Sequence, residues 1–166
     1  MLNPSTFILG SKIASVVSLV GTDIIGKTLT TTTKSIVNII YHLTTTEYPN
    51  SEAIKYFISD SDIEVKMKII KALVDNLNKK INITEYVKIS LESLTEITEK
   101  IHYELDKIKN KIEYHKSLYF SNWRSLNCDN NLKNLVKYND LLDKRIDMLT
   151  KMLNAEKHFR KYTEYR

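Results

Sequence analysis

The chain has 166 residues, 42% of them hydrophobic and 27% charged, with a formal net charge of +5. That length suits one folding unit able to bury its own core, and the hydrophobic content excludes a disordered chain. Cys128 is the single cysteine, which excludes an intramolecular disulfide and a cysteine-built zinc site and points to a reducing, cytoplasmic setting.

With only 3 Gly and 2 Pro the backbone is rarely punctuated, so long helices are expected. The fold class read from the pattern is all-α: a helical bundle with a long C-terminal antiparallel, coiled-coil-like helical hairpin. Residues 1–166 are taken as one domain, with amphipathic Ser/Thr-rich helices over 1–47, short and middle helices over 51–81, and the hairpin over 84–161.

Asn3 suits a helix cap with Pro4 in the first turn, where a missing N–H costs nothing. From there Leu9, Ile13, Val16, Val20 and Ile24 recur at spacings of three and four, with Ser11, Ser15, Ser18 and Thr22 opposite. After Ile24 the apolar set becomes Ile25, Leu29, Ile36, Ile40 and Leu43. At about 100° per residue this second stripe falls on the other side of the cylinder. One straight helix would have to bury two opposite faces, so 21-GTDIIG-26, with its two glycines, is expected to bend or break.

Tyr48 before Pro49 closes this region, because the residue preceding a proline avoids the helical basin. A short helix is expected from Ser51 to about Ser59. Asp60-Ser61-Asp62 then caps a helix whose core stripe is Ile63, Met67, Ile70, Val74, Leu77 and Ile81.

The strongest signal begins at Thr84. Val87, Leu91, Leu94, Thr98, Ile101, Leu105, Ile108, Ile112, His115 and Tyr119 alternate by four and three, which predicts a helix of about 36 residues. Glu85, Glu92, Glu96 and Glu99 lie in its first half and Lys107, Lys109, Lys111 and Lys116 in its second, as the helix dipole favours. After the turn-rich 120-FSNWRSLNCDNN-131 a second run follows at Leu135, Leu142 and Leu149, with Ile146 and Leu153 between. A connection of about ten residues returns the chain only antiparallel.

Glu99 and His102 form one E-x-x-H pair, half of what di-iron bundles carry, and the sequence holds no second pair. No metal site and no cofactor is therefore expected. His42, His115 and His158 have no nucleophile or carboxylate at a recognisable spacing, and no G-x-G-x-x-G, P-loop, G-x-S-x-G or H-E-x-x-H occurs. The chain reads as a non-enzyme without a small-molecule substrate.

Three surfaces remain as interaction candidates. The tail 157-KHFRKYTEYR-166 mixes Lys157, Arg160 and Lys161 with aromatics, suited to phosphate contacts and base stacking. It suits a solvated helix end equally well, and +5 over the chain is a modest field. Trp123, with Arg124 and Phe120 in the hairpin connection, either caps the hairpin or anchors a partner. The segment 27-KTLTTTTKSIVNIIYHL-43 sets Ile36, Ile39, Ile40 and Leu43 beside many hydroxyls and little charge. Such a helix packs inside a bundle, its hydroxyls bonding back to their own carbonyls, or lies on a bilayer by apolar insertion. The buried destination is preferred, and no run approaches the roughly 18 apolar residues of a membrane span.

The favoured function is a non-enzymatic helical interaction or assembly protein, a structural component of a larger particle or a self-associating one. A membrane-surface bundle working through the amphipathic N-terminal segment stands second. Nucleic-acid binding through the basic tail stands third.

Overall fold

A computed structural model of the chain describes the backbone of residues 4–49, 51–77, 83–118 and 126–164, and the side chains of residues 23–49, 51–77, 83–118 and 126–158. Five α-helices follow in order: α1 Pro4–Thr45, α2 Glu52–Asp60, α3 Ile63–Leu77, α4 Glu85–Lys116 and α5 Asp129–Glu164. No strand occurs among the described residues, and the all-α bundle follows.

The break expected at residues 21–26 does not form: α1 is one helix of 42 residues. Gly26 is buried in it, and no described glycine has a positive φ. A glycine without a Cβ lets a neighbouring helix approach there, so the residue that reads as punctuation serves as a packing position. Several hydroxyls of this helix fold back onto their own backbone, as anticipated, and hydroxyls of α4 do the same. Thr33 donates to the Thr30 carbonyl at 3.0 Å, Thr44 to Ile40 at 2.9 Å and Thr98 to Leu94 at 2.7 Å. The buried Thr33 and Thr98 are thereby satisfied without outside partners.

Leu29, Ile36, Ile39, Ile40 and Leu43 of α1 are buried in a continuous core with Ile63, Met67, Ile70 and Val74 of α3 and with α4. Between α2 and α3 the chain turns at Asp62, whose φ of 50° is a left-handed conformation that a short polar side chain tolerates. The Lys66 N–H then donates to the Asp62 carbonyl at 3.0 Å and starts α3.

The seam of α4 is buried from Val87 through Leu91, Leu94, Thr98, Ile101, Leu105 and Ile108 to Ile112. The helix ends at Lys116 after 32 residues, a turn short of the expected length, and Tyr119 lies outside the described residues. Ser90, Ile97 and Glu104 are buried as well, because α4 packs against two neighbours, α5 and α1. That widens its covered face beyond a two-helix stripe.

Direction follows from the bridging contacts. Lys111 reaches Asn131 at 2.7 Å and Glu104 reaches Asn134 at 3.2 Å, while Glu96 and Lys100 share a crevice with Leu141 and Arg145. As α4 numbers fall α5 numbers rise, so the pair is antiparallel. On the other flank Ser35 pairs with His102 and His42 with Glu113, both at 2.7 Å, so α1 runs parallel to α4. The fourth side is closed by α3, which packs on α1 and sends Lys66 to Asn139 at 3.0 Å and to Asp143 at 2.8 Å on α5.

Candidate functional site

One buried carboxylate, Glu104, lies at the floor of a depression between α4 and α5. Glu104 stands next to Leu105 on α4, so the turn that buries the apolar seam also carries this carboxylate to the α5 side. It is 5% exposed. A buried charge needs strong partners, and α5 supplies them from its first two turns. The Asn131 side-chain amide donates to Glu104 Oε2 at 2.6 Å and the Asn134 amide to Oε1 at 3.2 Å. The Asn131 Oδ1 in turn accepts from Lys111 Nζ at 2.7 Å, and Lys111 also donates to the Asn127 carbonyl at 3.0 Å. The chain of bonds ties the end of α4 to the start of α5 and fixes their relative register.

Above this floor lies a groove of about 570 Å³, walled by Lys107, Asn110 and Tyr114 of α4 and by Asn130 of α5. Tyr114 is 64% exposed, and Lys107 lies 4.0 Å from the centre of the Tyr103 ring. The Tyr103 side chain beside it holds the Lys107 ammonium above its usual range. The wall is thus amide, phenol and ammonium on a backbone locked from beneath, a surface suited to hydrogen bonding and stacking against another polypeptide.

Next to the groove the end of α4 carries a second set of contacts. Hydrogen bonds from His42 and then Lys116 hold the Glu113 carboxyl below its usual range. A depressed acid adds stability at higher pH and loses it as pH falls through its folded value, and the half-exposed position of Glu113 keeps that contribution small. Tyr48 meets the His115 ring edge-on with centroids 6.2 Å apart. Burial, and then the neighbouring Cys128, pushes the Tyr48 phenol up, and burial raises the Cys128 thiol. The Tyr48 hydroxyl and His115 Nδ1 are buried without a hydrogen-bond partner among the described residues. No group of three or more potential metal ligands occurs among those residues, and Glu99 is exposed while His102 pairs with Ser35.

The interaction candidates read from the sequence separate as follows. Ile36, Ile39, Ile40 and Leu43 are core residues, at most 5% exposed, so this segment offers no apolar face to a bilayer. Of the two destinations read from the sequence this is the buried one, because α3 and α4 cover the stripe. Phe120, Trp123 and Arg124 lie outside the described residues, in the connection between the two walls of the groove. Lys157 is exposed near the end of α5, and the side chains of Arg160 and Lys161 lie outside the described set. The Glu104 network escaped the sequence reading because Asn131 closes the turn-rich stretch and Asn134 reads as an ordinary polar position of the helix after it. Their spacing of three, facing a carboxylate beside a seam leucine, was the available signal.

No family model matches the chain, and no solved structure matches it. An uncharacterized protein of Acanthamoeba polyphaga mimivirus is 35% identical over 77 residues, which is 46% of this chain and 37% of that protein. The match therefore spans little more than a third of the relative's length, and its printed description carries no activity.

The network makes a direct prediction. Asn131→Ala removes the closest donor to a buried carboxylate and is expected to cost about 2 kcal/mol, whereas Glu104→Leu removes the charge itself and costs less. Urea unfolding of the two variants gives the order, and the reverse order would show that the bonds to Glu104 do not hold the register.

Proposed function

We propose that this chain is a non-enzymatic helical interaction and assembly protein whose working surface is the groove at the turn end of the hairpin. The observation that supports it is the groove's construction. Exposed tyrosine, asparagine and lysine side chains stand on two helices whose register a buried charge network fixes. Tyr is enriched in interface cores, and a surface organised before binding loses less entropy when a partner docks. The antiparallel α4/α5 pair, coiled-coil-like in its heptads, is the rigid spine that presents it.

The test uses the full chain in sedimentation and light scattering over a range of concentrations. Self-association above the 19.4 kDa monomer is expected, and Tyr114→Asp with Lys107→Glu should return it to the monomer. Both side chains are exposed, so thermal melting should move by no more than about 0.5 kcal/mol in stability. A wild-type chain that is monomeric at every concentration, and whose behaviour the double change leaves untouched, would remove the self-assembling form of this reading.

A further inference from the structure

A second groove lies between the other pair of helices, α1 and α3, and encloses about 270 Å³. Its bottom is apolar. Met67 and Thr33 are buried and Val37 is half-buried, and the Thr33 hydroxyl is spent on the Thr30 carbonyl 3.0 Å away. Its rim is basic. Lys34 and Asn38 stand on the α1 side and Lys68 and Lys71 on the α3 side, with no acid among the described residues that line it.

The three ammonium groups are open to a new partner. Lys68 and Lys71 pair along their own helix, with Glu64 at 2.6 Å and Asp75 at 2.7 Å. Solvent-exposed pairs one turn apart are worth little in water, so another carboxylate competes for these lysines readily. The Lys34 ammonium has no partner among the described residues.

Length and openness select the occupant. The groove runs from residue 33 to 38 on α1 and from 67 to 71 on α3, about 6–8 Å at 1.5 Å per residue. Two apolar side chains one turn apart on a helix have Cβ atoms about 5–6 Å apart and fit this length. The groove is open on its solvent side, so a small molecule would be covered on one face only, whereas small-molecule sites bury most of their ligand. Side chains that project from a helix bring the missing cover with them.

We infer that the α1/α3 groove docks an acidic amphipathic helix of another protein. Two apolar residues at i and i+4 lie over Val37 and Met67, and flanking carboxylates meet Lys34, Lys68 and Lys71. Charge complementarity selects this partner, because a bare polyanion leaves the apolar slot unfilled and a second copy brings a net charge of +5 to a basic rim. The inference goes beyond the assembly reading and uses a surface separate from the α4/α5 groove.

The test is fluorescence anisotropy of a labelled synthetic helix of about 18 residues, with two Leu one turn apart and Glu on either side, titrated with the full chain. Saturable binding is expected, weakening as salt rises. The same peptide with Ser for both Leu, or with Lys for every Glu, should not bind. Lys34→Glu with Lys68→Glu should weaken binding about tenfold or more. Both side chains are exposed, so circular dichroism should still show a folded bundle. Lys133→Glu with Lys137→Glu makes the same change of net charge at exposed positions of α5 and should leave binding as it was. No binding of the Leu/Glu peptide, equal binding of the Ser peptide, or binding indifferent to the Lys34 and Lys68 changes overturns the proposal. So does loss of an oligomer in Lys34→Glu with Lys68→Glu, which would assign the groove to a second copy. The variant Tyr114→Asp with Lys107→Glu should bind the peptide normally, which separates this proposal from the assembly reading.

Discussion

Ile36→Asp combined with Ile40→Asp is expected to leave no cooperative thermal transition. Both side chains are at most 1% exposed and belong to the α1 stripe packed within the core. Each substitution forfeits the burial of an isoleucine side chain, about 2–3 kcal/mol. Each also sets a carboxylate among apolar neighbours, where it must either stay charged without a partner or take up a proton. Together the losses are on the order of 8 kcal/mol, comparable to the whole stability of an ordinary domain, roughly 5–15 kcal/mol. Circular dichroism against temperature gives the answer. A melting curve like that of the wild type would mean that this segment is not core in solution. Its apolar side would then have to be accounted for elsewhere.

What the sequence revealed of this fold and what it hid follow from the range of the interactions involved. The α4 seam from Val87 to Ile112 is legible because every third or fourth residue is apolar and each is buried. The return partner is legible for the same reason at Leu135, Leu142 and Leu149. Periodicity reports which face of a helix is covered, and it reports this well when the cover is one neighbour. It fails where two neighbours meet: α1 and α5 both pack on α4, and Ser90, Ile97 and Glu104 are buried off the seam.

The glycines of α1 show a different limit. Gly21 and Gly26 in a helix whose stripe changes sides look like a joint, since a break lets both stripes face the core. The chain keeps the helix and leaves Ile24 exposed instead. A local pattern cannot tell a broken helix from a continuous one, because the difference lies in how far the neighbouring helices run beside it. Here α3 is 15 residues long against 42 in α1.

The candidate site was the least legible part. Its floor joins Glu104 to residues 27 and 30 positions away, and only the antiparallel register brings them together. The three histidine contacts that pin the α1 side of the bundle, Ser35–His102, His42–Glu113 and Tyr48–His115, join residues 67 to 71 positions apart. None of these partners is near its histidine in sequence, and all three contacts join α4 to α1 or to the residues just after it.

Leu105→Asp tests the spine itself. Leu105 is fully buried between the seam leucines and isoleucines of α4, and the carboxylate beside it, Glu104, already engages the Asn131 and Asn134 amides. A second carboxylate one residue away would be desolvated, would find its nearest polar donors taken, and would repel the first. The cost is expected to be about 4 kcal/mol, a fall of roughly 8–16 °C in melting temperature for a chain of this size. Leu105→Met supplies the control, since it keeps the volume and adds no charge, and should cost less than about 1.5 kcal/mol. If Leu105→Asp melts with the wild type, α4 and α5 do not pack through this seam. The register that builds the groove would then fall with it, because Glu104 and Leu105 are turned toward α5 by the same turn of helix.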